Sequence, residues 1–512
     1  MVITSRLPTV ILPRDLSLHE YFFRETAQYS DCVAFINYYT KEEITFREVE
    51  KRAKFIATSL VSTGIEKGEV IIVDVDSRPE TIIIILGASI AGAVTTTVSA
   101  LCSADEILHQ IEASFSRFAF VVPKAIKAVR RCFEKLKREY RMICVGTRED
   151  SQGLPILSDL TLTHELAENL SLPKIIPEED VVIFKYTSDI HGHSKTKGIE
   201  KERIEGTFKG ILTTHAVKCD QLAIANQYVP FYDNPRTGEF TVSMLPYSRR
   251  LGLECCLISL LNGATVVSVG KFKVKLLMEA IDMYEARVVF TSPFIVHQMI
   301  HHISLNANVS PLSSLKTLLS VYSMKETGLI ARTSAKREYI ESTLQLAFNV
   351  QLKVLDMLTG EELGRNEKGV FYVAGDQLTG GPSTSSSYLD SPELNPIGGW
   401  RKTGDFGFID DEDNIHLIDR TKDIIKVFGF QVIPQELEDI LSNHHSVKEC
   451  AVVGVSDNEA ERLSPQKRLH RVEIVSMLPR TSEGAVLRRA LADAANLSFN
   501  DLVAMEYDQR MA

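Results

Sequence analysis

Residues able to do chemistry concentrate in one stretch of this 512-residue chain. Gly399-Trp400-Arg401-Lys402-Thr403-Gly404-Asp405 is followed, after a short gap, by Asp419-Arg420-Thr421-Lys422-Asp423-Ile424-Ile425-Lys426-Val427-Phe428-Gly429-Phe430-Gln431-Val432-Ile433-Pro434-Gln435-Glu436-Leu437-Glu438. Ionised Asp405 can only accept hydrogen bonds, whereas Arg420, Lys422 and Lys426 can only donate them. Taken singly, each of these lysines and glutamates fits a solvated, charged turn equally well; the information lies in the set. The eight cysteines are scattered, with no C-x-x-C pair and no histidine at metal spacing, which argues against a zinc site or a disulfide framework and fits a reducing compartment.

The elements that must position these residues follow an α/β pattern. Thr45 and Glu48 form a capping box ahead of Phe46, Val49, Ala53, Ile56, Ala57 and Leu60 at helical spacing, which predicts an amphipathic helix ending near Gly64. Apolar runs at Val70–Val73 and Phe118–Val122 read as strands, and Ser103 with Glu106 reads as a second capping box. Thr81 to Ala104 carries no charge over 24 residues, long enough for a membrane span. Its Thr, Ser and Gly content and the run Val94-Thr95-Thr96-Thr97-Val98 predict instead a buried helix followed by a buried strand. Further strands are expected at Ala264–Val267 and Arg287–Phe290. After about Leu352, short runs punctuated by turns such as Asp356–Gly360 predict a β-rich subdomain. The fold expected is therefore α/β: a large N-terminal domain (1–418) of parallel sheets covered by helices plus a β-rich subdomain, and a small α+β C-terminal lid domain (419–512). The composition is that of an average globular protein, and the formal charge of −10 offers no basic field for nucleic acid.

The two segments closely resemble the W-x-x-T-G-D and D-R-x-K-[DE]-x-I-K-x-x-G-x-x-V-x-P-x-E-[IVL]-E motifs of the adenylate-forming (AMP-binding) acid-CoA ligase family, in its 4-coumarate/acyl-CoA ligase and luciferase-like branch. The resemblance extends in order over nearly the whole chain, including Leu245-Pro246, Asn262–Thr265, Thr291-Ser292-Pro293 and Thr359–Leu363. It implies that Asp405 accepts hydrogen bonds from ribose hydroxyls, that Arg420 contacts the same nucleotide, and that Lys422 is the hinge about which the small domain turns. Lys426 and Gly429 would face a CoA channel. Val321-Tyr322-Ser323-Met324-Lys325-Glu326-Thr327 resembles the family's G-Y-G-M-T-E-T, which makes Tyr322 the adenine-stacking residue and Glu326 the Mg²⁺ ligand. The implied cofactors and substrates are ATP/AMP, Mg²⁺ and CoA, with a small carboxylic acid as the partner to be activated.

Several positions depart from the family pattern and mark a divergent or truncated member. The phosphate loop begins correctly at Tyr186-Thr187-Ser188 and ends recognisably at Gly206 and Phe208-Lys209-Gly210-Ile211, continuing into Thr214-His215. The charged stretch from Asp189 to about Arg203 lies between, where small residues would let backbone N–H groups approach phosphates; it is expected to disorder and repel them. Lys325 replaces a phosphate-binding Thr, Arg249 stands where L-P-x-x-H has its His, and Ala485 stands where the adenylation Lys is expected. The glycine-rich loop and helix that the family places after Leu318-Leu319-Ser320 are absent. Loss of one preorganised donor such as that Lys costs roughly 2.7–4 kcal/mol, or about 10²–10³ in rate. An ATP-dependent, AMP-forming acid-CoA ligase with impaired adenylation is one expectation; the alternative is a catalytically dead nucleotide-binding pseudoenzyme acting as regulator or scaffold. A third, a chain left unable to fold by the missing segment, follows from the apolar surface such a loss uncovers. No targeting signal is recognisable, Gln509–Ala512 does not match the S-K-L peroxisomal address, and a cytoplasmic location is expected, or a peroxisomal one by family analogy. Neither the acid nor the oligomeric state can be read from these residues.

Overall fold

The computed structural model describes residues 2–74, 77–98, 102, 104–160, 171–186, 210–227, 238–270, 273–291, 293–305, 314–315, 317–319, 321–324, 328–332, 343–357, 359–378, 399–421, 424–427, 430–432, 434, 437–438, 441, 447, 449–453, 475, 478–479, 486, 488 and 491. The local signals are realised where they fall among these residues. The helix Phe46–Ser62 opens on the expected capping box: Glu48 N donates to Thr45 Oγ1 at 3.2 Å and Thr45 N donates to Glu48 Oε2 at 2.9 Å. A similar reciprocal pair, Ser17 with Glu20, opens Leu18–Thr26. The capping box at Ser103 lies outside the described residues; the helix itself runs Ala104–Ser114.

The uncharged stretch from Thr81 divides as expected into the helix Pro79–Ile90 and the strand Val94–Thr97, joined through Gly92 in the left-handed region (φ +71). The helix is buried all round because it lies between a sheet and the helix Phe46–Ser62. The two helices approach closely at Gly87, where a Cβ would lie 2.8 Å from Ala53 O and from the Ile56 side chain. Among the described residues no helix is long and apolar enough to cross a membrane.

Two sheets built mainly from parallel strands form the α/β part. One has the order Arg141–Cys144, Phe118–Val121, Val70–Asp74, Val94–Thr97, Val181–Tyr186, Gly210–Thr214; its first five strands run parallel and the last is antiparallel. The other has the order Phe240–Ser243, Thr265–Ser268, Val33–Asn37, Glu43–Thr45, with the first three parallel. Helices between successive parallel strands cover these sheets, so most residues of the inner strands are buried on both faces.

The β-rich part is an eight-stranded antiparallel sheet in the order Val2–Thr4, Val350–Leu355, Gly369–Gly375, Arg401–Ile409, Ile415–Arg420, Thr343–Leu346, Gly328–Arg332, Val321–Met324. Pairing of Ile415–Arg420 with its neighbour continues to Arg420 opposite Asp405, and Thr421 N still donates to Gly404 O at 2.9 Å. Beyond it, Ile425–Val427 and Phe430–Val432 form a separate antiparallel pair. One continuous apolar core joins the six-stranded sheet, its helices and the eight-stranded sheet, and a second lies under the four-stranded sheet. The fold is α/β with mixed sheets and covering helices, as expected from the sequence.

Candidate functional site

Three of the residues singled out by sequence, 83 and 98 positions apart from the first to the others along the chain, meet at one point. Asp405 lies on Arg401–Ile409 directly opposite Arg420 on the adjacent strand, and Arg420 Nε lies 2.9 Å from Asp405 Oδ1. Tyr322 Oη donates to Asp405 Oδ2 at 2.5 Å. The Asp405 side chain is 8% exposed while that of Arg420 is 55% exposed, so a buried carboxylate is flanked by a guanidinium that reaches solvent.

The meeting of Tyr322 and Asp405 requires a strongly curled sheet. Val321–Met324 is the edge strand, four places from Arg401–Ile409, which on a flat sheet would separate them by about 19 Å, well beyond the reach of a tyrosine. Bulges between Tyr322 and Ser323 and between Phe406 and Gly407 fall beside the two residues, where they raise the local twist and re-aim side chains. Asp405 is held further by its own backbone: its N–H donates to Thr403 Oγ1 at 3.0 Å, and Thr403 in turn donates to Phe371 O at 3.0 Å. Gly404, in the left-handed region (φ +78), turns the strand between them. Burial, and then the adjacent Asp405 carboxylate, push the Tyr322 hydroxyl well above its ordinary value, so it remains a protonated donor.

The segment Leu245-Pro246-Tyr247-Ser248-Arg249 sits where the carboxyl ends of the two parallel sheets meet. It follows directly on Phe240–Ser243, Tyr247 N donates to Ser77 Oγ at 3.1 Å just beyond Val70–Asp74, and Thr97 Oγ1 donates to Ser248 O at 3.1 Å at the end of Val94–Thr97. Arg249 therefore lies near the carboxyl ends of these strands, the side on which open α/β sheets bind ligands, at the start of the helix Arg250–Leu261. The next residue belongs to a buried charge cluster. Arg250 donates through Nε and Nη2 to both Glu254 oxygens at 2.8 and 2.9 Å, and Lys218 Nζ bonds Glu254 Oε1. Burial alone would raise Glu254, but Arg250 and Lys218 outweigh it and hold the carboxyl down to about 2. A Cβ on Gly328 would lie 3.0 Å from Arg250 Nη2, so the cluster abuts the strand paired with the one that carries Tyr322.

The phosphate-loop residues are met only at their margins. Gly210 opens the strand Gly210–Thr214 and pairs with Tyr186 at the end of Val181–Tyr186, so the two ends of the loop are brought side by side. Thr187, Ser188, Gly206 and Lys209 lie outside the described residues, as do Asp189–Arg203, Lys325, Glu326, Lys422, Gly429 and Ala485. Lys426 lies on Ile425–Val427 with its backbone paired to Gln431. Among the described residues there is no group of three or more His, Cys, Asp or Glu that could hold a metal, and the expected Mg²⁺ ligand Glu326 is not among them. The sequence places Leu318-Leu319-Ser320 directly before Val321-Tyr322, and the strands Thr317–Leu319 and Val321–Met324 do follow one another with only Ser320 between; the first pairs with Val288–Phe290 and the second belongs to the β-rich sheet.

Thr214 and His215 have structural partners. Thr214 Oγ1 accepts from Val217 N at 3.4 Å as the cap of His215–Asn226, and the fully buried His215 accepts at Nδ1 from Leu18 N at 3.1 Å. Burial, and then the nearby His19, lower His215 from 6.5 to about 3. The unfolded chain therefore takes up this proton first as pH falls, and the contribution of neutral His215 is fully present above pH 6.5 and is lost progressively towards pH 3. His215→Gln is expected to reduce the acid slope of unfolding free energy between pH 6.5 and 4 by about one proton. Denaturant titrations at stepped pH measure this, and an unchanged slope contradicts it.

Further along the chain, Glu438 of the P-x-E-L-E segment and Arg488 form a two-pronged ion pair. Arg488 Nη2 lies 2.8 Å from Glu438 Oε2, and Val452 N also donates to Glu438 Oε1 at 2.6 Å. This pair, the Lys218–Glu254–Arg250 cluster and the Thr403 bridge are contacts the sequence reading did not assign. Glu254 four residues after Arg250 in an otherwise apolar helix was a signal for one of them.

A family model described as AMP-binding enzyme matches residues 22–323. Among curated proteins, the chain is 27% identical to 4-coumarate–CoA ligase 2 of Petroselinum crispum, covering 98% of each, and 28% identical to 4-coumarate–CoA ligase 4 of Arabidopsis thaliana, covering 96% of this chain and 94% of the relative. Its fold is shared with the anthranilate CoA ligase AuaEII in complex with anthranoyl-AMP (TM-score 0.78, 18% identity, 96% and 99% covered). It is shared also with ATP-bound MatB from Rhodopseudomonas palustris (TM-score 0.76, 20% identity, 94% and 99% covered).

Proposed function

Because the chain belongs to the AMP-binding enzyme family, we propose that it is an AMP-forming acid–thiol ligase whose adenylation half-reaction is slow. In that reaction a carboxylate oxygen attacks the α-phosphorus of ATP and pyrophosphate leaves; the CoA sulfur then attacks the acyl carbon and AMP leaves. The observation that carries the reading is the Tyr322–Asp405–Arg420 cluster, in which a buried carboxylate accepts from a tyrosine hydroxyl and pairs with an exposed guanidinium. Such a carboxylate is the acceptor a ribose diol requires, and the guanidinium suits the adjoining phosphate. The names of the curated relatives described above, which are 4-coumarate–CoA ligases, support the acid–CoA class.

The remaining roles rest on the motifs. Thr187, Ser188, Gly206, Lys209 and Gly210 would line the phosphates, Glu326 would hold Mg²⁺, and Lys426 and Gly429 would face CoA. Residues 419–512 would act as a lid turning about Lys422. Mg²⁺ would neutralise charge on the phosphates as pyrophosphate departs. Arg249 in place of a histidine and Ala485 in place of a lysine are why adenylation is proposed to be slow, since a missing donor to the developing charge costs about 10²–10³ in rate.

The test separates the half-reactions. Pyrophosphate release would be followed with ATP, Mg²⁺ and a panel of acids that includes 4-coumarate and anthranilate, and acyl-CoA would be followed from synthetic acyl-adenylate plus CoA. The reading expects weak release with one class of acid and readily measured thioester formation from the adenylate. Nucleotide binding with neither half-reaction would instead favour the non-catalytic binder.

A further inference from the structure

We propose that the Tyr322 hydroxyl is an internal occupant of the nucleotide's ribose site, which a bound nucleotide must displace. The inference rests on the reading of Asp405 as the ribose acceptor and adds to it a residue that sets how tightly, and how selectively, that acceptor is used.

In the structure both oxygens of the Asp405 carboxylate are already engaged, Oδ1 by Arg420 Nε at 2.9 Å and Oδ2 by Tyr322 Oη at 2.5 Å. The two partners differ in kind. Arg420 is the cross-strand neighbour of Asp405, fixed there by sheet register, and its side chain is largely exposed, so it can move aside within water. Tyr322 comes from the far edge of the curled sheet and points a protonated hydroxyl at a carboxylate that is almost entirely buried. A phenol donating to a carboxylate makes a short, charge-assisted bond, and it takes the place one hydroxyl of a vicinal diol would occupy.

A ribose brings two hydroxyl donors to the same carboxylate. To seat both, the Tyr322 hydroxyl must swing off Oδ2 or share it, and the bond it gives up is subtracted from the affinity. On the reading of Tyr322 as the adenine-stacking residue, its ring would still face the base once the hydroxyl has moved. Tyr322 thus acts on binding through two parts of one side chain with opposite effects: the aromatic face favours the nucleotide and the hydroxyl opposes it. It also makes the site selective for ligands that carry both hydroxyls, because only such a ligand replaces the bond that is lost. A sugar lacking them would leave Tyr322 in place and gain nothing at Asp405.

Removing only the hydroxyl tests this. Calorimetric titration of AMP into the full-length protein is expected to show binding to Tyr322→Phe about tenfold or more tighter than to the unsubstituted chain, the scale of one hydrogen bond to a charged group. Titration of 2′,3′-dideoxy-AMP is expected to show no such gain, since that ligand does not compete for Asp405. AMP binding that is unchanged or weaker in Tyr322→Phe, or an equal gain for both nucleotides, overturns the inference while leaving the ribose role of Asp405 intact. Failure of AMP to bind either protein contradicts the nucleotide-site reading itself, and the inference falls with it. A far-UV circular dichroism spectrum like that of the unsubstituted chain establishes that Tyr322→Phe is folded.

Discussion

Glu254→Gln is expected to lower the stability of the folded chain by about 3–5 kcal/mol, the cost of leaving buried charge without its partner. Glu254, Arg250 and Lys218 have side chains no more than 8% exposed, and the single carboxylate answers both cations. The amide keeps the size of the side chain and can still accept a hydrogen bond, so the loss reports charge rather than a cavity. Lys218, already lowered by its burial and supported chiefly by Glu254, would shed its proton more readily once the carboxylate is gone. Replacing all three residues together by apolar side chains of similar volume is expected to cost far less than the single change, because it removes the desolvated charges as well as their attraction. Chemical denaturation of the two variants beside the unsubstituted chain measures the difference, and a Glu254→Gln loss within about 0.5 kcal/mol of zero, the range of an ordinary surface substitution, contradicts this account of the cluster.

The second large effect is on the ligand. Asp405→Ala is expected to weaken AMP binding by about 10²-fold or more, since it removes the acceptor for two hydroxyls and each hydrogen bond to a charged group contributes about 1.5–3 kcal/mol. Asp405→Asn is expected to fall between, keeping one acceptor oxygen and losing the charge. Arg420→Ala is expected to weaken binding less than either, because its guanidinium is more than half exposed and its attraction is screened by water. Calorimetry on the three variants gives the order directly, and an Asp405→Ala protein that binds AMP as the unsubstituted chain does would remove the carboxylate from the site.

How much could be read in advance follows from the range of each interaction. The capping box at Thr45 and Glu48, the division of Thr81–Ala104 into a helix and a strand, and the β-rich run of strands after about Leu352 depend on neighbours a few residues away, and all three are realised. The site residues Tyr322, Asp405 and Arg420 were legible because their types recur in a fixed motif order; that they touch could not be read, because it depends on the curl of an eight-stranded sheet. The strand Val2–Thr4 was not legible at all: three residues are too few for periodicity, and its partner, Val350–Leu355, is some 350 positions away. The buried cluster escaped for the same reason, since Lys218 and Glu254 are joined only when the helices His215–Asn226 and Arg250–Leu261 pack. Thr214-His215, read as the tail of a phosphate loop, has partners that are those of a helix cap and a core histidine.

The proposed function requires this chain to keep a working nucleotide site despite Arg249 and Ala485. Calorimetric titration of the purified, folded chain with a non-hydrolysable acyl-AMP analogue tests it most directly, because it asks for binding without asking for chemistry. Saturable binding at one site per chain, lost on Asp405→Ala, is the predicted result. A folded chain that takes up no analogue would contradict the proposal and would mean that its motifs record ancestry rather than use.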